Sequence, residues 1–126
     1  MIISKTRAVK ATLGVFNEEP KCNSVPDLRT FNRTLTQIQD EFYKESGVYV
    51  AYQTSIVYCN YHKDWGGFDG GEPCILLTAI ANPKFVEDFV VWENVAKSIA
   101  IKLKELYNQN TITIESYDAE ITYVTD

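Results

Sequence analysis

The chemistry-bearing residues of this chain crowd into one segment, Tyr-His-Lys-Asp-Trp-Gly-Gly-Phe-Asp-Gly-Gly-Glu-Pro at 61–73. It holds the one histidine, four of the six glycines and one of the two tryptophans. His62, Asp64, Asp69 and Glu72 could form a histidine–carboxylate pair for acid–base work, with a cysteine nearby as nucleophile. Yet the sequence has no glycine–serine–glycine elbow, and one histidine cannot make a paired-histidine protease motif. No catalytic residue is assigned, and a small enzyme using His62 stands as a second alternative. Cys59-Asn60-Tyr61-His62 has C-x-x-H spacing, with Cys74 as a third ligand and Cys22 as a distant fourth. A structural zinc site has close-spaced ligands at both ends and only one end has them here, so no metal is expected. Binding is the chemistry these residue types favour. Gly66, Gly67, Gly70 and Gly71 permit positive φ or close approach of backbone to a ligand, while Trp65 and Phe68 offer flat stacking surfaces. The bland reading, a long hairpin turn, stays open beside it.

A second pattern concerns charge. Arg29 and Arg33 are two of the three arginines, four residues apart at the start of an expected helix. Together with helix N-terminal N–H groups they could clamp a pyrophosphate. Equally, they could be solvated cations that bridge to Asp27, Gln37 or another subunit. The segment at 61–73 matches neither a P-loop nor a dinucleotide-binding fingerprint. A net charge of −5 and a pI near 4.9 argue against nucleic acid and against anionic membrane as partners. A small anionic ligand remains compatible, because it needs only a few well-placed donors.

The elements that must position these groups follow from periodicity. Val9, Ala11, Leu13 and Val15 alternate, predicting a strand over 5–16. Ser24 with Asp27 reads as a capping box, and Pro26 suits a first turn. Leu28, Phe31, Leu35, Ile38 and Phe42 form a helical stripe that Gly47 ends. A long strand is expected over 48–61, then the glycine segment, then a strand over 74–81. Phe85, Phe89, Trp92, Ala96, Ile99, Leu103 and Leu106 alternate spacings of four and three, the clearest helix in the chain. One or two strands are expected over 111–117 and 120–124. The economical assembly is an α+β fold, a mainly antiparallel sheet with two amphipathic helices on one face. Its other face, carrying residues such as Tyr49, Gln53, Ser55 and Tyr61, suits a homo-oligomer contact.

Length and composition frame these expectations. With 126 residues, 45% hydrophobic and 23% charged, the chain reads as one soluble domain spanning 1–126. The start, Met1-Ile2-Ile3-Ser4-Lys5, has no apolar run long enough for a signal peptide or membrane span. Three cysteines leave one unpaired, which suits a reducing compartment, so a cytoplasmic location is expected.

The run from Trp65 to Trp92, with Gly-Gly-Glu at 70–72, an apolar strand, Asn82-Pro83-Lys84-Phe85 and an acidic pair, followed by a helix and Thr111-Ile112-Thr113-Ile114-Glu115, resembles the anti-Thoeris sponge proteins of phages. The resemblance spans roughly the last half of the chain. It implies a non-enzymatic protein in the host cytoplasm that sequesters a cyclic ADP-ribose isomer made by a bacterial TIR-domain defence enzyme. It also implies an oligomer, at least a dimer, and needs no cofactor. The resemblance assigns no ligand residue; local chemistry makes Arg29, Arg33, Trp65, Gly66, Gly67, Phe68, Gly70 and Gly71 the candidate ligand-binding residues, around a small nucleotide-derived ligand. The first alternative is a protein-binding inhibitor or immunity-type module.

Overall fold

The structure, a computed structural model, describes residues 1–15, 25–67 and 69–125. Strand β1 (Ile2–Leu13) leads to helix α1 (Leu28–Ser46), then strands β2 (Gln53–Cys59) and β3 (Glu72–Ile80), helix α2 (Phe89–Leu106) and strand β4 (Thr113–Tyr123). The sheet order is β2-β3-β1-β4 with every neighbouring pair antiparallel. The fold is therefore α+β, a split β-α-β arrangement used twice.

Alternation puts Val9, Ala11 and Leu13 of β1 and Ile75, Leu77 and Ala79 of β3 on the face that the helices cover. Phe31, Leu35 and Ile38 of α1 meet them there, with Trp92, Ala96, Ile99 and Leu103 of α2. The open face pairs Lys10 with Thr78 and Glu115, and Thr12 with Leu76 and Thr113. Tyr49, assigned to that face by sequence, precedes the strand altogether.

Local chemistry explains where the elements begin and end. Asp27 caps α1, its carboxylate accepting from the Arg29 and Thr30 N–H groups; Ser24 lies outside the described residues. Gly47 at φ 74° closes that helix through its N–H to Tyr43 O, as the glycine predicted. The second strand starts later than its composition suggests. Residues 48–52 make no ladder: Gln39 Nε2 donates to Val50 O at 2.9 Å in place of a partner strand, and the Tyr52 side chain turns to α2, its O–H donating to Ala96 O at 2.6 Å. The second helix also starts later. Asn82 O accepts from both Phe85 N and Val86 N in a separate turn, and Asp88 caps α2 at Val90 N and Val91 N. Phe85 is thereby excluded from the buried stripe and left exposed. Of the one or two strands expected after 110, the structure has one continuous β4, paired with β1 along its length.

One ion-pair network locks α2 across the sheet. Arg7 reaches Glu93 Oε1 and Asp118 Oδ1, each at 2.8 Å, and Lys97 Nζ reaches Glu93 Oε2 at 3.1 Å. The Arg7 hydrogen bond, with help from Lys97, holds the Glu93 carboxyl below its ordinary range against the opposing effect of burial. Among the described residues, no helix is long and apolar enough to cross a membrane.

Candidate functional site

A cleft of about 810 Å³ opens where the end of β1, the start of β3, the glycine segment and the α2–β4 turn converge. Thr12 and Gly14 form its floor, Glu72 and Cys74 one wall, and Asn108 to Thr113 another, while Tyr61, Trp65 and Gly66 come from the glycine segment. The antiparallel register makes this convergence. Cys59 pairs with Glu72, so the connection between β2 and β3 must fold back over the end of the sheet.

The segment folds back through a short 3-10 turn, Lys63–Trp65. His62 caps it, Nδ1 accepting from Asp64 N at 3.1 Å, and the imidazole also lies 3.5 Å from the Asp64 carboxylate. His62 O accepts from Trp65 N and Gly67 N, and Lys63 O from Gly66 N. Gly66, Gly70 and Gly71 have φ near 85°, which L side chains rarely adopt. Gly67 is needed for space: a Cβ there would stand 1.9 Å from Tyr61 O. His62 is thus a structural cap, outside the cleft's lining.

The electrostatics are one-sided. Among the described residues that line the cleft, the charged one is Glu72. Tyr61 is pushed above its ordinary value, first by its hydrogen bond with Cys59, then by desolvation and by the negative potential of Cys59, Cys74 and Glu72. Its phenol therefore stays protonated through the neutral range. Trp65 stands at the mouth, 81% exposed, with its ring 5.7 Å from that of His62. The arrangement offers two aromatic faces and a carboxylate, which suits a flat ligand carrying positive charge.

The residues expected to bind ligand divide accordingly. Trp65 and Gly66 line the cleft, while Gly67, Gly70 and Gly71 shape the segment that presents them. Arg29 and Arg33 are exposed on α1 and do not line it. Arg33 adds to the field that lowers the Asp27 carboxyl, behind the larger effect of hydrogen bonds from Thr30. Phe68 and Cys22 lie outside the described residues. Cys59 and Cys74 are not joined in a disulfide, and among the described residues no group of three His, Cys, Asp or Glu could hold a metal ion.

Sequence reasoning passed over Thr12, Gly14 and the 108–113 turn, and weighed Glu72 only as one of three carboxylates that could pair with His62. The Gly-Gly-Glu-Pro run entering a strand was the one available signal for Glu72. A second groove of about 710 Å³ lies at the opposite pole among Tyr43, Tyr49, Phe85 and Val91. Its Asp88 carboxylate is occupied in capping α2.

Comparison with known proteins gives three findings. No curated protein matches the sequence. The family model described as SAM lyase matches residues 8–125. Among solved structures, a phage SAM lyase in complex with S-methyl-5'-thioadenosine aligns over 94% of this chain and 90% of that one, with 9% identity and a TM-score of 0.55. A phage SAM lyase in the apo state aligns over the same shares with 10% identity and a TM-score of 0.54. At such identity these two structures establish a common fold alone. The family match corrects the expectation of a protein that binds without breaking bonds, because a lyase is an enzyme. It also names a family other than the sponge proteins.

Proposed function

The chain belongs to the SAM lyase family, and from that premise we propose that it cleaves a carbon–sulfur bond of S-adenosylmethionine in the cleft lined by Tyr61, Trp65 and Glu72. The observation that carries this reading is the cleft's one-sided chemistry. S-Adenosylmethionine has a net positive charge, with a sulfonium and an ammonium against one carboxylate, joined to a purine. Aromatic faces suit the adenine and the sulfonium, and Glu72 suits the ammonium. An ammonium about 4 Å from that carboxylate gains on the order of 4 kcal/mol at an effective dielectric of 20, before desolvation is subtracted. A pyrophosphate ligand would meet the same carboxylate as repulsion, and Arg29 and Arg33 are not in the cleft to offset it.

The reaction that follows is an internal displacement. The substrate's own carboxylate oxygen attacks its γ-carbon as the bond from that carbon to the sulfonium sulfur breaks. Sulfur takes the bonding pair and leaves as S-methyl-5'-thioadenosine, while the remainder closes as homoserine lactone with its ammonium intact. No proton has to move. Opposite charges vanish in the transition state, so a site drier than water favours it, and orientation of the two substrate ends supplies the rest. Glu72 serves by fixing the ammonium, Trp65 and Tyr61 by fixing the adenosine.

Such an activity destroys the methyl donor of SAM-dependent enzymes, which fits a phage anti-defence role in the host cytoplasm. The open sheet face is the surface offered for assembly into at least a dimer, which light scattering after size exclusion measures. The decisive assay is incubation of purified protein with S-adenosylmethionine and mass spectrometry of the products. Equimolar S-methyl-5'-thioadenosine and homoserine lactone are expected, falling about 100-fold in rate for Glu72→Gln, as loss of roughly 3 kcal/mol requires. Quantitative recovery of intact substrate would sink the reading.

A further inference from the structure

The imidazole of His62 has no part in the proposed reaction, which moves no proton, and it does not line the cleft. Yet the turn that carries Trp65 to the cleft mouth is built on this residue. Its O accepts from Trp65 N at 2.9 Å and from Gly67 N at 3.1 Å, and its Nδ1 accepts from Asp64 N at 3.1 Å. The last of these bonds caps the 3-10 turn Lys63–Trp65. A 3-10 turn of three residues has poor hydrogen-bond geometry and no length over which to propagate, so its population depends on its ends. The far end is set by Gly66 at φ 86°, whose N–H donates to Lys63 O at 3.1 Å. At the near end the capping side-chain atom is His62 Nδ1. Trp65 leaves this turn 81% exposed, with the His62 ring 5.7 Å from its own and tilted by 55°. An indole that exposed takes its direction chiefly from the backbone beneath it.

We infer that His62 is a positioning residue: through Nδ1 it fixes the turn that aims Trp65, and so it sets the affinity of the cleft for the purine half of the substrate. The inference rests on the placement of adenosine against Trp65 proposed above and deepens it. Stacking rewards an aromatic ring that is already in place, because ordering that ring on binding costs conformational entropy. A turn formed only part of the time lowers the apparent affinity by the fraction formed. Nδ1 accepts only in the neutral ring with its proton on Nε2, since an imidazole nitrogen that carries hydrogen donates. What the turn requires at this point is therefore an acceptor, which an asparagine amide supplies equally well at an N-cap. It requires neither an acid, a base nor a ring there.

The probe is S-methyl-5'-thioadenosine, titrated by calorimetry at about pH 8, above the range in which histidine side chains change charge. His62→Ala and His62→Phe, which lack the acceptor, are expected to weaken it about fivefold, as loss of a cap does. His62→Asn restores an acceptor and should bind within about twofold of wild type. Trp65→Ala removes the group being positioned, so in that background His62→Ala should cause no further loss of affinity. A merely structural role would make the two losses add, and that additivity overturns the assignment. So does a His62→Asn protein as weak as His62→Ala, or a His62→Ala protein that binds as wild type does. In each of these cases cleavage of S-adenosylmethionine by the wild-type protein leaves the lyase reading standing. Conversely, the expected binding pattern in a protein that leaves S-adenosylmethionine intact removes the lyase reading and keeps His62 in its role. Wild-type protein that neither binds the probe nor cleaves S-adenosylmethionine overturns both.

Discussion

Replacing Gly67 with alanine should disable the cleft while sparing the fold. The added Cβ would stand 1.9 Å from Tyr61 O and 2.5 Å from Tyr61 C. Both distances fall more than about 1 Å short of van der Waals contact. These neighbours are backbone, so no rotamer change relieves the clash, and the segment must open by roughly that 1 Å. Opening breaks the hydrogen bond from Gly67 N to His62 O and shifts Tyr61 and Trp65 away from the walls that face them. The direct cost in stability is about 1 kcal/mol, the net worth of one exposed hydrogen bond. The cost in catalysis is larger, because a misplacement of about 1 Å in a positioning site reduces rate by about 100-fold. The assay is kcat/KM for cleavage of S-adenosylmethionine beside thermal denaturation. Gly47→Ala is the matched control. Gly47 also has positive φ, so alanine there costs roughly 1–2 kcal/mol, yet it lies at the opposite pole and should leave kcat/KM unchanged. A Gly67→Ala protein with kcat/KM within threefold of wild type would refute the claim that this close approach builds the site.

Three further outcomes follow from the fold. Trp92 is 2% exposed among the core side chains, so Trp92→Ala should destabilise by about 3–5 kcal/mol, read as a lowered urea midpoint. Gln39→Leu should cost about 1–3 kcal/mol by the same measurement, because it removes the donor that serves the buried Val50 carbonyl. Glu93 has a lowered folded-state pKa, so its contribution to stability is complete above the ordinary glutamate value of about 4.3 and disappears as pH falls through the lower folded value. Urea unfolding between pH 7 and pH 3 should show that acid loss in wild type and a shallower one in Arg7→Leu. Equal slopes would show that the Arg7 pair does not set the carboxyl.

The helices were legible because their signals are local. Phe31, Leu35 and Ile38 recur at helical spacing and are buried together, and Gly47 ends the first helix for the stereochemical reason a glycine follows a helix. Boundaries were less legible wherever a distant side chain took over a backbone group. The apolar residues at 48–52 read as strand, but Gln39 serves Val50 O in place of a partner strand. Phe85 read as part of the second helix, but it lies in a separate turn closed on Asn82 O, and the helix begins at the Asp88 cap. The glycine segment, singled out by its composition, supplies Tyr61, Trp65 and Gly66 to the cleft. Its histidine caps the short turn, and the charge it brings to the cleft is Glu72, placed there by where its strand lies.

By itself, the sequence determined the order of strands and helices, the buried stripe on each helix, and a glycine-rich connection that must turn tightly beside Trp65. Those depend on hydrophobic period, capping and permitted φ, properties carried by neighbouring residues. Only the tertiary structure decided that Glu72, Gly14 and Gln109 line one cleft, and that Arg29 and Arg33 stay outside it. The physical reason is register. Pairing of β1 with both β3 and β4 brings together the end of one strand, the start of another and the turn before a third. No spacing along the chain encodes that meeting, and it sets the sign of the charge the cleft presents.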